Sequence, residues 1–196
     1  MKKLLMMLLL MGGFMIQGYA QGSAAGDFSL PDAVSGKTVS LADYKGQKAV
    51  VLVFTSNYCP YSRLYEERLN QLVNQYKGRG VAFVFINAND PQQNKEESDE
   101  SMKSKVEEWG TGVPFLSDRK QTVAKKYGAS KTPEVFVLAP RGGGFQVFYS
   151  GAIDDNPQVA QDVSQPYLKQ ALDQLLAGKS ALHQQKRPVG CAIKLQ

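Results

Sequence analysis

A chain of 196 residues with 43% apolar composition is long enough to fill one core and too short for two ordinary domains. The formal net charge of +5 falls to +3 once the first 20 residues are set aside, because they carry two lysines and no acid. So weak a surplus, spread along the chain, argues against nucleic-acid binding.

The chain opens with Lys2 and Lys3, runs through the apolar stretch LLMMLLLMGGFMI, and reaches small residues at Gly18 and Ala20 before Gln21. That pattern reads as a secretory signal peptide over residues 1–20. The apolar run falls short of the roughly 20 residues a spanning helix needs, so no membrane span is expected in the mature form. No cysteine follows Ala20 closely, which argues against a lipid anchor. Export implies a periplasmic or extracellular setting, where disulfides persist. Only Cys59 and Cys191 are present, too few for a framework of staples.

Residues 26–47 carry short alternating stretches punctuated by Pro31, Gly36 and Gly46, and predict a small hairpin. AVVLVF at 49–54 predicts a strand buried on both faces. Tyr61, Leu64, Tyr65, Leu69, Leu72, Val73 and Tyr76 then recur at helical spacing, closed by Gly78 and Gly80. VAFVFIN at 81–87 completes a parallel, right-handed βαβ unit.

Residues 90–105 are rich in Lys, Glu, Ser and Gln and predict an exposed loop leading into a helix that ends near Trp109. A short strand from Val113 to Leu116, a helix from Lys120 to Tyr127, and strands at Glu134–Leu138 and Gln146–Tyr149 follow, the last two joined by a turn through Gly142, Gly143 and Gly144. Tyr167–Leu176 is amphipathic and predicts a closing helix. The expected organisation is one α/β domain over 26–178, a mixed central sheet flanked by helices with an N-terminal β-hairpin, and a tail over 179–196 that carries Cys191. The order of elements suits a thioredoxin-like fold.

Chemistry concentrates at Cys59. It stands where a buried strand passes into a helix, with Pro60 at the first helical position and Cys59 itself as the expected cap. Free amide groups and the helix dipole there favour a thiolate and can lower a thiol pKa from about 8.5 to roughly 3.5–7.5. Ser62 is placed to turn its hydroxyl toward the sulfur, and Arg63 and Arg68 either add positive field or form a solvated face. The alternative is that Cys59 is a small buried hydrophobe.

FTSNYCPYS at 54–62, FVFINAND at 83–90, YGASKTPEVFVL at 127–138, GAIDDNP at 151–157 and PVGCAIK at 188–194 together resemble thioredoxin-fold redoxins related to the alkyl hydroperoxide reductase and thiol-specific antioxidant proteins, in a peroxiredoxin-like branch. The resemblance spans about residues 26–196. It implies that Cys59 is catalytic and that Thr132 and Pro133 form the threonine and cis-proline pair facing it, with a backbone edge open to a ligand strand. The alternative is an ordinary loop proline. Tyr58 and Pro60 join Thr132 and Pro133 as candidate substrate contacts, and Ser62 and Cys191 join Cys59 as candidate catalytic residues.

The sequence departs from better-known relatives. Ser62 stands where thioredoxins have a second cysteine, so the motif alone cannot resolve a mixed disulfide. The residue three before Ser62 is Cys59, where peroxiredoxins have a threonine, which places a peroxidase second. Cys191 is open to three readings: a resolving thiol, a structural tie, or an unpaired thiol. The first expectation is an exported thiol-disulfide oxidoreductase acting on protein or small-molecule disulfides, resolved by Cys191 or an external thiol reductant. The alternatives are a thiol peroxidase acting on peroxides and a non-catalytic peptide-binding module.

Other residues receive plainer readings. His183 is alone and solvated, so no metal site and no cofactor are expected. Asp154, Asp155, Asn156 and Pro157 either bind a cation or cap the final helix, with an ordinary loop favoured over both. Trp109 is expected in core or rim packing.

Overall fold

The computed structural model describes residues 22–180 and 186–195; the expected signal peptide and His183 lie outside them. The unbroken apolar run at Ala49–Phe54 (β3) has every residue buried, and it takes the middle of a five-stranded sheet. On one side it pairs in parallel with Val81–Asn87 (β4), which in turn pairs in parallel with Phe115–Ser117 (β5). On the other it pairs antiparallel with Glu134–Arg141 (β7), which pairs with Gly144–Gly151 (β8). The sheet order is therefore β5-β4-β3-β7-β8.

Alternation along β3 divides the core. Ala49, Val51 and Val53 face a cluster with Tyr65, Leu69, Val73 and Tyr76 of the helix Pro60–Lys77 (α1), Met102 and Val106 of Asp99–Trp109 (α2), and Leu168, Ala171 and Leu172 of Tyr167–Leu176 (α4). Val50, Leu52 and Phe54 face the other cluster, with Val123, Ala124 and Tyr127 of the helix Thr122–Tyr127 (α3) and Leu30 of the hairpin Ser29–Pro31 (β1) and Thr38–Ser40 (β2). Each fully buried aliphatic side chain contributes about 1.5–3 kcal/mol, so the one-residue phase of β3 specifies the layering strongly. Trp109 packs against Phe85 and Phe115, as expected. This is a thioredoxin-like α/β fold, a mixed sheet with helices on both faces.

Differences from the sequence expectation have local causes. Pro114 has no N–H, and the strand expected from Val113 begins instead at Phe115. The helix expected from Lys120 begins at Thr122, because the Asp118 carboxylate accepts the N–H groups of Thr122, Val123 and Ala124 at 2.8–3.0 Å. The hairpin β7–β8 runs longer than expected: only Gly142 and Gly143, at φ 57° and 82°, form its turn, and Gly144 already pairs with Arg141.

Both flanks of the sheet are covered by other parts of the chain. Along β8, Gly22 N–H bonds Val147 O, Val147 N–H bonds Ser23 O and Ala25 N–H bonds Phe145 O, while Ala152 N–H bonds Lys186 O at the far end. Along β5, Ala33 N–H bonds Phe115 O and Phe115 N–H bonds the Asp32 carboxylate.

Candidate functional site

Cys59 caps α1 with extended backbone (φ −66°, ψ 121°), and Pro60 opens the helix. The sulfur is joined to Cys191 by a disulfide, with a Cα separation of 6.0 Å across 132 positions of sequence. Of the three readings for Cys191, the unpaired thiol is thereby removed. Cys59 is 1% exposed, so the simple picture of an open thiol is replaced by a sulfur lying under the tail; it remains at the helix mouth and lines a cavity. Cys191 is half-buried.

The Thr132–Pro133 bond is cis, and the Thr132 carbonyl oxygen lies 3.2 Å from Cys59 Sγ. The pair therefore faces the cysteine as the resemblance implies. The backbone edge, however, is not open: Lys131–Thr132 (β6) pairs antiparallel with Cys191–Ala192 (β9), in the register Thr132 to Cys191 and Lys131 to Ala192. The physical reason is the disulfide itself, which holds the tail within hydrogen-bonding distance.

A cavity of about 370 Å³ opens beside the bridge, lined by Tyr58, Cys59, Glu97, Thr132, Cys191 and neighbouring polar residues of 89–94. Tyr58 stands at its rim, 57% exposed; Pro60 is also exposed, whereas Thr132 and Pro133 are buried. Ser62 is buried, but its hydroxyl has no hydrogen-bond partner among the described residues. It does not bond the oxidised sulfur.

The principal residue that sequence reasoning missed is Glu97. It sits in the polar run expected to be an exposed loop, yet it is 3% exposed. Its carboxylate accepts the Ser56 hydroxyl, Asn57 N–H at 3.0 Å, Tyr58 N–H at 3.4 Å and Asn87 Nδ2 at 2.8 Å. Ser56 Oγ in turn accepts Cys59 N–H at 3.0 Å. One buried carboxylate thus organises the loop that delivers Cys59 to the helix. No local pattern marks it, because a Glu in KEES reads as solvated. Next to it, Arg63 donates to Asn57 O at 2.8 Å and pairs with Glu96.

Arg68 and Asp154 correct the plainer expectations. Arg68 is not a solvated face: Nη1 reaches Asp154 at 2.6 Å and Asn156 O at 2.7 Å, and Nη2 reaches Pro157 O at 2.7 Å. Asp154 is 7% exposed and also accepts Tyr65 OH at 2.7 Å, so it anchors the 154–157 segment to α1. Asp155 accepts Ser164 N–H and Gln165 N–H just before α4.

The segment bearing Thr132 has its own brace. Glu134 accepts Ser130 N–H at 2.8 Å and Lys131 N–H at 3.1 Å. Burial raises its carboxyl above the ordinary value of 4.5, and those backbone bonds offset the shift only in part. Among the described residues no group of three or more His, Cys, Asp or Glu side chains is arranged to hold a metal. No described helix is long and apolar enough to cross a membrane.

Known proteins place this geometry. The ResA thiol-disulfide oxidoreductase of Halalkalibacterium halodurans is 25% identical over 145 residues, covering 74% of this chain and 77% of that protein. A crystal structure of a hypothetical protein from Sinorhizobium meliloti 1021 superposes with a TM-score of 0.83 at 38% identity, covering 92% of this chain and 97% of that one. A putative thiol:disulfide interchange protein DsbE from Chlorobium tepidum shares the fold, with a TM-score of 0.59 at 22% identity over 82% of this chain and 98% of that one. The chain is homologous to the ResA oxidoreductases. With residues 21–143 matching the AhpC/TSA family and the redox-capable cysteine at the head of α1, the chain belongs to that family.

Proposed function

We propose that this protein is an exported thiol-disulfide oxidoreductase in which Cys59 attacks and Cys191 resolves, working in the periplasm or outside the cell. The observation that carries the reading is a disulfide with one sulfur at the amino end of an 18-residue helix and a cavity opening onto the bridge. Export rests on the leader pattern of residues 1–20.

The cycle balances with a dithiol reductant. Its thiolate meets the more exposed sulfur, Cys191, forming a new S–S bond while the Cys59–Cys191 bond breaks. Cys59 departs as a thiolate into the field of the helix amides, which makes it a good leaving group. The second reductant thiol displaces Cys191, and the reductant leaves as a disulfide. Cys59 then attacks a substrate disulfide and expels one substrate sulfur, which takes a proton from water. Finally the Cys191 thiolate attacks Cys59 Sγ, releasing the second substrate thiol and restoring the bridge. Two electrons have passed from dithiol to substrate.

Ser62 occupies the third position after the cap, and its unpartnered hydroxyl is assigned to the Cys59 thiolate of the reduced state. Tyr58 at the rim, Pro60 beside the helix mouth and the backbone of Thr132 and Pro133 are assigned to substrate contact. No cofactor enters any step.

Intact mass after alkylation, with and without dithiothreitol, checks the resting bridge. Turnover of an aromatic disulfide under dithiothreitol, above the rate without enzyme, checks the cycle: Cys59→Ser abolishes it, and Cys191→Ser, reduced and then freed of dithiothreitol, stops at a mixed disulfide on Cys59. Peroxide consumption that requires Cys59, with no disulfide turnover, overturns the reading in favour of a thiol peroxidase.

A further inference from the structure

The tail segment around Cys191 occupies the space that any substrate joined to Cys59 must enter. A mixed disulfide on Cys59 requires a substrate sulfur near the present position of Cys191 Sγ, because Sγ of Cys59 is buried and abuts the Thr132 carbonyl. The chain carrying that sulfur therefore runs through the same groove.

The groove makes three demands on its present occupant. Backbone pairing fixes an extended course: Thr132 lies opposite Cys191, and Ile193 N–H bonds Ser130 O at 3.0 Å. Before the cysteine, Gly190 passes so close to the backbone that a Cβ there would lie 2.1 Å from Thr132 O and 2.7 Å from Thr132 C. Two positions after the cysteine, Ile193 is 6% exposed and joins the apolar cluster containing Leu116, Val123 and Ala129. Gln121 Nε2 holds the exit by bonding Lys194 O at 2.8 Å.

We propose that the tail is a built-in template of the substrate, and that the reduced groove accepts extended polypeptide disulfides whose cysteine follows a glycine and precedes, by two positions, an aliphatic side chain. This rests on the oxidoreductase reading and names its substrate class. Glycine is demanded by contact with backbone, which cannot move aside as a flexible side chain can. The aliphatic residue is demanded by a core site that stands empty when the tail departs.

The test uses the full-length double variant Gly190→Ala/Cys191→Ser, in which the resident tail is loosened and cannot resolve. Its Cys59 thiolate is offered the peptide KRPVGCAIKL with the peptide cysteine activated as a thionitrobenzoate disulfide; attack joins Cys59 to the peptide sulfur and releases the thionitrobenzoate anion, which is read by absorbance. Companion peptides replace the glycine by alanine or the isoleucine by serine, and a small aromatic disulfide serves as reference. The template peptide is expected to react about tenfold faster than either companion, after correction by the reference rate of each reagent with a simple thiol. Equal rates for the three peptides, with the small disulfide also reacting, overturn the template while leaving the oxidoreductase intact. No reaction with the small disulfide or any peptide overturns the oxidoreductase reading and the template with it.

Discussion

Cys59 and Cys191 share one covalent bond, but the regions that hold them differ. The loop before Cys59 is organised by a buried carboxylate with four donors, and the residue after it begins a long helix packed on the sheet. Cys191 sits in a two-residue strand that pairs only with another two-residue strand, and it is flanked by half-buried Gly190 and exposed Ala192. The comparison teaches that one sulfur is fixed by a buried network and a long helix, and the other by the bond together with a short strand pairing and the buried Ile193. A resolving thiol needs that asymmetry, since it must leave and return while the attacking thiol stays in place.

The largest expected effect is reduction of the bridge. For a separation of 132 residues, chain entropy sets a ceiling of about 5 kcal/mol. Because reduction also frees the tail in the native state, the measured loss in urea unfolding falls below that ceiling. Hydrogen exchange sharpens the contrast: Ile193 N–H loses protection in the reduced protein, whereas Asn57 and Tyr58 N–H keep theirs. Loss in step at all three would break the comparison.

Next comes Glu97→Ala, which strands buried donors at Ser56, Asn57, Tyr58 and Asn87 and is expected to cost about 3 kcal/mol in urea unfolding. It also slows Cys59 alkylation in the reduced protein, an effect that a purely structural loss elsewhere does not produce. Asp154→Ala is a control outside the Ser56–Cys59 network, at a carboxylate bonded to Tyr65 and Arg68 of α1. It leaves Arg68 and Tyr65 without their carboxylate and is expected to cost about 2 kcal/mol, with the alkylation rate unchanged.

The smallest effect is a pH slope. Burial raises the Glu134 carboxyl in the folded protein above its ordinary value of 4.5. Folded protein then binds the proton more tightly than unfolded, so the contribution is fully present below the unfolded value and is lost as pH rises through the folded one. Relative to Glu134→Gln, which retains an acceptor, the wild type therefore loses stability as pH rises from about 4.5. Parallel stability curves for the two proteins over that window would contradict the assignment.

The parts legible from sequence were those whose determinants are local and periodic. The β3 and β4 runs are apolar throughout because both faces are covered, and their bounds match the expectation. Pro60 marked the helix start and hence the capping place of Cys59. Glu97 was invisible because its burial depends on partners 40 positions back in the chain, at Asn57, and on Asn87. The pairing of Arg68 with Asp154 was invisible for the same reason, the two being 86 positions apart. β9 has no periodic signal, since two residues cannot show one and their pairing is set by the covalent bond from Cys191 to Cys59, 132 positions earlier.

The covered flanks of the sheet bear on what happens when many copies are reduced at once. Strand edges are where separate molecules zip together into aggregates, and here the terminal segments and the Asp32 loop already occupy β8 and β5. Departure of the tail uncovers the Ile193 site and, of strand edge, only Lys131 and Thr132 with the Ser130 carbonyl, followed by a proline that can donate no hydrogen bond. So short an edge gives a second copy little to pair with, and reduced protein is expected to stay monodisperse in light scattering at concentrations where proteins with a long bare strand would cluster.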